Sequence, residues 1–146
     1  MPASRVLVPL RWSDLDAYGH INNVAYLRIL EEARITGFRS WFGGEPGVVE
    51  AGVIVARHEI EYLTPLSRVA VPDAVDMWAV GIRTSGFGVG YEIRDPDEKG
   101  TTVYARAETW LVAYDLAAGR PRPLTGRERA VLAPRVGEPV AMRGRR

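Results

Sequence analysis

Along this chain apolar and polar positions first run as a short strand, then adopt a helical period, then alternate in twos, and these shifts divide it into elements. Residues 5–11 (Arg-Val-Leu-Val-Pro-Leu-Arg) read as a short apolar strand. Pro9 cannot donate to a ladder, which places this strand at an edge or a bulge. From Asn23 to Phe42 the period is helical. Arg28, Glu32, Thr36 and Arg39 share one side of this helix, while Val24, Tyr26, Leu27, Leu30, Ala33, Ile35, Phe38, Trp41 and Phe42 cover most of the rest. A helix of about 20 residues is roughly 30 Å long, and an apolar arc this wide needs covering along most of that length, as when a sheet wraps around it. Glu31 and Arg34 fall inside the arc, so they are expected to pair with each other or with a neighbouring strand or subunit.

Glycines and a proline at 43–47 stop the helix, and the period then drops to about two. Strands are expected at residues 53–63, 74–84, 87–94 and 101–114, with turns at 64–67, 95–100 and 115–119. Thr125 can cap a short helix over Gly126–Leu132. Residues 134–146 are rich in Pro, Gly and Arg and read as a flexible tail, leaving 1–133 as a single domain. One strand, one long apolar helix and a meander of four strands make an α+β pattern, in which an antiparallel sheet curls round one long central helix.

The stretch between the first strand and the helix carries the candidate chemistry: Arg11-Trp12-Ser13-Asp14-Leu15-Asp16-Ala17-Tyr18-Gly19-His20-Ile21-Asn22-Asn23. It puts two carboxylates, a glycine, a histidine and two asparagines beside a helix N-terminus. Such an end presents unpaired N–H groups and partial positive charge, so it can hold a developing oxyanion while a nearby carboxylate attacks or activates water. Ser13, Asp14 and Gly19 form turns, and Asn22 or Asn23 suits the helix N-cap.

Composition narrows the class. At 146 residues, 47% hydrophobic and 25% charged, the chain has the make-up of one ordinary globular domain. No apolar run approaches membrane-spanning length, Met1-Pro2-Ala3-Ser4-Arg5 lacks a signal-like apolar core, and there is no cysteine, so the cytoplasm is the expected compartment. The missing cysteines also remove thiol nucleophiles and thiolate zinc sites, and with two histidines no metal is expected. A net charge of +1 argues against a nucleic-acid partner. Arginines nevertheless gather after Gly119, where they can meet ligand phosphates or simply form a solvated end.

The motif resembles the hotdog-fold thioesterases of the 4-hydroxybenzoyl-CoA thioesterase family, in the subgroup carrying Asp-x-Asp-x-x-Gly-His-x-Asn-Asn before the helix. Asp14, Asp16, Gly19, His20, Asn22 and Asn23 all match, as do Tyr26-Leu27, Glu32-Ala33-Arg34 and the stretch Glu59-Ile60-Glu61-Tyr62-Leu63-Thr64-Pro65. The resemblance covers residues 6–132. It implies a hotdog fold and hydrolysis of an acyl-CoA, or acyl carrier protein, thioester without a cofactor. Asp16 would be the nucleophile or general base, and the Asn23 amide would polarise the carbonyl. Asp14, Gly19, His20 and Asn22 would position the loop or lie next to the substrate, with His20 holding the loop by hydrogen bonds or, alternatively, transferring a proton, and Arg83, Arg120 and Arg122 are candidates for the coenzyme A phosphates. Family sites lie between subunits, so a homodimer or homotetramer is expected.

Rival chemistries find less support. A hotdog hydratase or dehydratase would use an Asp/His pair such as Asp16 with His20, but the Asn-Pro-x-His ending of those enzymes is missing. A non-catalytic acyl-CoA binding protein would keep the pocket and dispense with Asp16. Gly86, Gly88 and Gly90 alternate within a strand and open no helix, unlike a dinucleotide loop. There is no Gly-x-Ser-x-Gly elbow, and Ser40 lies inside the helix. His58 reads as a surface or core residue of its strand. Trp12, Tyr18, Tyr26, Phe38 and Trp41 can line an aromatic pocket, although such spacings are more often core.

Overall fold

The computed structural model describes residues 3–43, 48–97 and 102–144. The glycine-rich end of the long helix beyond Gly43, and the second half of the turn at 95–100, lie outside these residues. The elements in chain order are β1 (Ser4–Val8), α1 (Asn23–Phe42), α2 (Val48–Ala51), β2 (Val53–Tyr62), β3 (Asp73–Ile82), β4 (Gly86–Arg94), β5 (Val103–Asp115), β6 (Arg120–Pro121) and α3 (Gly126–Leu132). Single 3₁₀ turns stand at Trp12–Asp14 and Ala133–Arg135. The long strands form one antiparallel sheet in the order β1-β3-β4-β5-β2, and β6 pairs with the end of β5. The first strand stops at Val8, short of the expected Arg11, because Pro9 has no N–H to continue the ladder.

α1 begins and ends where the periodicity places it. Asn22 is its N-cap, with Oδ1 accepting from the Val24 amide at 3.1 Å. Tyr26, Ile29, Leu30, Ala33, Phe38, Trp41 and Phe42 are buried against the inner face of the sheet, where they meet Val75, Met77, Phe87, Val89, Tyr91 and Leu111. The side chain of Gly37 is only a hydrogen because a Cβ there would stand 2.6 Å from Sδ of Met77, so helix and sheet approach closely. Trp41 pins the helix to β1 by donating its indole N–H to Oγ of Ser4 at 2.9 Å. α3 contributes Leu132 to the same core, so the sheet carries a long helix together with a second, short one.

The wide apolar arc of α1 is only partly covered: Val24 is 67% exposed and Ile35 37%. Arg34 is buried but does not pair with Glu31; its Nη1 donates to the Tyr91 hydroxyl at 3.2 Å. The C-terminal segment, read from sequence as a flexible tail, lies along the outer face of the sheet in its described part. Gly137 donates to the Ala79 carbonyl at 2.8 Å, and the Glu138 carbonyl accepts from the Trp78 indole at 2.8 Å. Val140 and Met142 pack on Trp78, and the Glu61 carboxylate accepts from the amides of Arg143 and Gly144 at 2.6 and 3.1 Å. Trp78 and Val80 make this outer face apolar enough to hold a covering segment. Among the described residues no helix is long and apolar enough to cross a membrane.

Candidate active site

The loop between β1 and α1 is built on two carboxylates with opposite tasks. Asp14 is buried at 3% exposure. It accepts from the Arg11 amide at 2.8 Å, from Nη2 of Arg11 at 3.1 Å and from Nη2 of Arg28 at 2.6 Å, while its own carbonyl takes the Asn22 amide at 2.7 Å. Burial alone would raise its carboxyl, but the Arg11 bonds and the Arg28 charge outweigh that and hold it below the usual carboxylate range. Asp14 therefore ties both ends of the loop to the helix. Arg28 is shared with Glu32 one turn on.

Asp16 is half-buried and organises the tip. Its Oδ1 accepts from the amides of Tyr18 and His20 at 2.8 and 3.1 Å, and its own amide donates to the His20 carbonyl at 2.7 Å. Gly19, at φ +75°, supplies the left-handed step that closes this turn. Leu15 and Ile21 bridge its base. The second carboxylate oxygen of Asp16 has no hydrogen-bond partner among the described residues.

Beside it opens a cleft of about 270 Å³. Asp16, His20 and Asn23 line one side, Tyr62, Thr64 and Pro65 the other, and the buried Tyr26 also borders it. The Ile21 amide bonds the Leu66 carbonyl at 2.7 Å, which fastens the loop to the segment after β2. Tyr62 donates its hydroxyl to the Asn23 carbonyl at 3.0 Å and stacks edge-on against Tyr26 at 5.1 Å. Asn23 is the first residue of α1, and its amide has no partner among the described residues, as the geometry of a helix start dictates. Burial, with the nearby Asp73 charge, pushes the Tyr26 hydroxyl up to about 12, so it stays a proton donor at neutral pH.

Asp16, His20 and Asn23 thus meet in one cleft, with Asp14, Gly19 and Asn22 as its frame. The arginines do not join them. Arg83 follows the far end of β3, a ten-residue strand whose other end adjoins the cleft, and at about 3.3 Å per residue that is roughly 30 Å away. Its guanidinium lies over the Trp110 ring at 4.2 Å. Arg122 is engaged in two bonds to the buried Glu128 carboxylate at 2.8 and 2.9 Å, so its fork is already filled. Arg120 is exposed at that same far end. Sequence reasoning missed Tyr62, Thr64 and Pro65 as lining residues, although the stretch 59–65 was part of the resemblance. No group of three or more His, Asp or Glu side chains suited to a metal exists among the described residues.

A further carboxyl stands behind the cleft. Asp73, fully buried, is pushed up to about 7 by burial, with Arg68 pulling down and Asp95 pushing up. A raised folded value means that this group's stabilising contribution is fully present below its ordinary value of 3.8 and is lost as pH rises through about 7. Asp73→Asn does not titrate, so urea denaturation should show it gaining on the native protein by about 3 kcal/mol between pH 5 and pH 8. A gap independent of pH would show that Asp73 is ionised in the fold throughout.

The family model of the thioesterase-like superfamily matches residues 10–136. None of the curated proteins matches. Among solved structures, a thioesterase from Thermus thermophilus complexed with coenzyme A and Zn is 29% identical, with a TM-score of 0.75 and coverage of 94% of this chain and 96% of that one. A structure named provisionally as an acyl-CoA thioesterase, from Xanthomonas campestris, is 26% identical over 77% of this chain and 93% of that one, with a TM-score of 0.67. A thioesterase known by prediction, from Bacillus stearothermophilus, has a TM-score of 0.80 at 22% identity, covering 94% and 98% of the two chains, and speaks for the fold. The match is at the level of the superfamily and does not single out the narrower 4-hydroxybenzoyl-CoA thioesterase family. On this match, the chain belongs to the thioesterase-like superfamily.

Proposed function

We propose that the protein hydrolyses an acyl-CoA thioester of the kind handled by 4-hydroxybenzoyl-CoA thioesterases, with Asp16 at the carbonyl carbon and the Asn23 amide at the carbonyl oxygen. The observation that carries this reading is the cleft itself: a half-buried carboxylate with one oxygen held by loop amides and the other unpartnered, facing a helix start with an unpartnered N–H. In one route the free oxygen of Asp16 attacks, the C–S bond breaks, thiolate leaves, and water then hydrolyses the resulting anhydride. In the other, Asp16 takes a proton from water as that water attacks, and the same bond breaks. Both yield a free acid and coenzyme A thiol with no cofactor.

The coenzyme A bound in the Thermus relative supports coenzyme A as carrier. Thiol release from a panel of short, long and aromatic acyl-CoAs tests the reading. Turnover of part of the panel supports it; binding of every member without any thiol release would leave an acyl-CoA binding protein.

The active form is proposed to be a homodimer. β2 is a ten-residue strand at the edge of the sheet, and Ile54, Val55 and Tyr62 on it are exposed, as are Val24 and Ile35 on the neighbouring flank of α1. Antiparallel pairing of two copies of β2 would bring the Val53 end of one beside the Tyr62 end of the other. Ala113 pairs with Val53 and its carbonyl accepts from the Arg122 amide, so the region of Arg120 and Arg83 in the second copy would then approach this cleft and could meet coenzyme A phosphates. Sedimentation should give twice 16.1 kDa, and Val55→Asp should give monomers with little activity. An active monomer would refute the shared site.

A further inference from the structure

One carboxyl oxygen near the cleft has no partner. Asp73 opens β3 with no exposure to solvent, and its Oδ2 and Arg28 Nε are the only two buried side-chain polar atoms among the described residues that make no hydrogen bond. An ionised oxygen in that position is costly, so the acid form is favoured.

The ionisable groups around Asp73 come from four elements. Arg68 belongs to the segment after β2, Asp95 follows β4, Tyr104 lies on β5 and Tyr26 on α1. Its rung partner on β1 is the apolar Val8, and Arg94 on the neighbouring rung turns to Asp76 and Glu92.

Arg68 connects this group to the cleft wall. Its Nε donates to Oδ1 of Asp95 at 3.1 Å and its Nη1 to the Val71 carbonyl at 2.5 Å, while Nη2, chiefly on Asp95, also makes a longer bond of 3.4 Å to Oδ1 of Asp73. Tyr104 donates to the same Asp95 oxygen at 2.8 Å. The segment that Arg68 anchors begins with Leu63, Thr64 and Pro65, which line the cleft, and its Leu66 carbonyl holds the Asp16 loop through Ile21.

We infer that Asp73 is a positioning residue: protonated, it leaves Arg68 to Asp95 and Val71, which keeps residues 63–72 against the Asp16 loop, and ionised it competes for Arg68 and withdraws that wall. With Asp73 neutral, one guanidinium faces one carboxylate. With Asp73 ionised, two carboxylates share it where one of them has no access to water, and Arg68 must move toward Asp73. Burial sets the midpoint of this exchange at about 7.

Substrate then binds only the protonated fraction. KM should rise with pH while kcat, measured on the bound form, stays level, because apparent affinity scales with the competent fraction. This assay rests on the thioesterase reading.

The test measures KM and kcat for the best substrate of the acyl-CoA panel from pH 5.5 to 9, in the native protein, Asp73→Asn and Asp95→Asn. Native KM should rise about tenfold between pH 6 and pH 8. Asp73→Asn should keep the low native KM across the range, and Asp95→Asn should lower the midpoint, since the charge opposing Asp73 is gone and Arg68 is released. Dependence contributed by other ionisable groups of the cleft survives in Asp73→Asn, so the difference between the profiles is what counts. The same KM rise in Asp73→Asn would overturn the inference.

A second readout needs neither turnover nor a folded variant. In carbon-13 and amide NMR of the native protein, the Asp73 carboxyl should titrate near pH 7 and the amides of Thr64 and Leu66 should move with the same midpoint. A carboxyl midpoint below 5, or wall amides that ignore it, would also overturn the inference. An inactive protein that passes this titration would sink the thioesterase reading alone.

Discussion

Asp16→Asn is expected to lower kcat by at least ~100-fold, a scale typical of losing a catalytic group, while leaving the fold intact. The two halves of this expectation separate chemistry from architecture. The Oδ1 of Asp16 accepts from the amides of Tyr18 and His20, and an asparagine oxygen can accept the same two bonds. What asparagine lacks is the charge and nucleophilicity of the unpartnered oxygen beside Asn23. Melting should therefore move little, whereas Asp16→Ala should loosen the loop as well. Activity of Asp16→Asn within about threefold of native would make Asp16 a turn residue and return the cleft to a binding role. Label appearing in the Asp16 carboxylate after turnover in ¹⁸O-water would establish direct attack, since base catalysis puts the label only in the product acid. If enoyl-CoA is instead hydrated while thioesters survive, Asp16 and His20 act as a hydratase pair.

Asp14→Ala should cost about 2–3 kcal/mol of stability, the scale of losing charged hydrogen bonds whose arginine partners keep some access to water. At 3% exposure its carboxylate holds the Arg11 amide and the guanidinium groups of Arg11 and Arg28, so its loss strands donors on both sides of the loop. For a chain of this size, that corresponds to a fall in Tm of roughly 10 °C. The pH dependence has a definite sign. Because the folded value is depressed, the contribution is present above the ordinary value of 3.8 and lost as pH falls through the lower folded value. The gap between native and Asp14→Ala should therefore be full at pH 7 and shrink on acidification. A loss under about 1 kcal/mol at pH 7 would mean that Arg11 and Arg28 find other partners at no cost. Activity should fall with stability, since the lost carboxylate bonds hold in place the loop whose backbone carbonyl at residue 14 receives the Asn22 amide at the helix start.

Much of the scaffold was legible in the sequence because its signals are local. The change of period, the Asn22 cap and Gly43 after Phe42 bound α1, and Thr125 with Glu128 builds the capping box that starts α3. Spacing alone brought Asp16, His20 and Asn23 to one helix start, where the structure forms its cleft. The four-residue α2 and the two-residue β6 were not anticipated, being too short to show a period.

Local signals thus settle α1, α3, the four long strands and the side chains that stand at the start of α1, since caps, turns and periodicity act over a few neighbours. Sheet order decided the rest. Only the folded chain brings Tyr62 across to Asn23, turns Arg34 to Tyr91 rather than to Glu31, binds Arg122 to Glu128, lays residues 136–144 over Trp78 and seals Asp73 beside Arg68. Most of these partners lie far apart along the chain, and burial sets their charge states, so no local pattern encodes them.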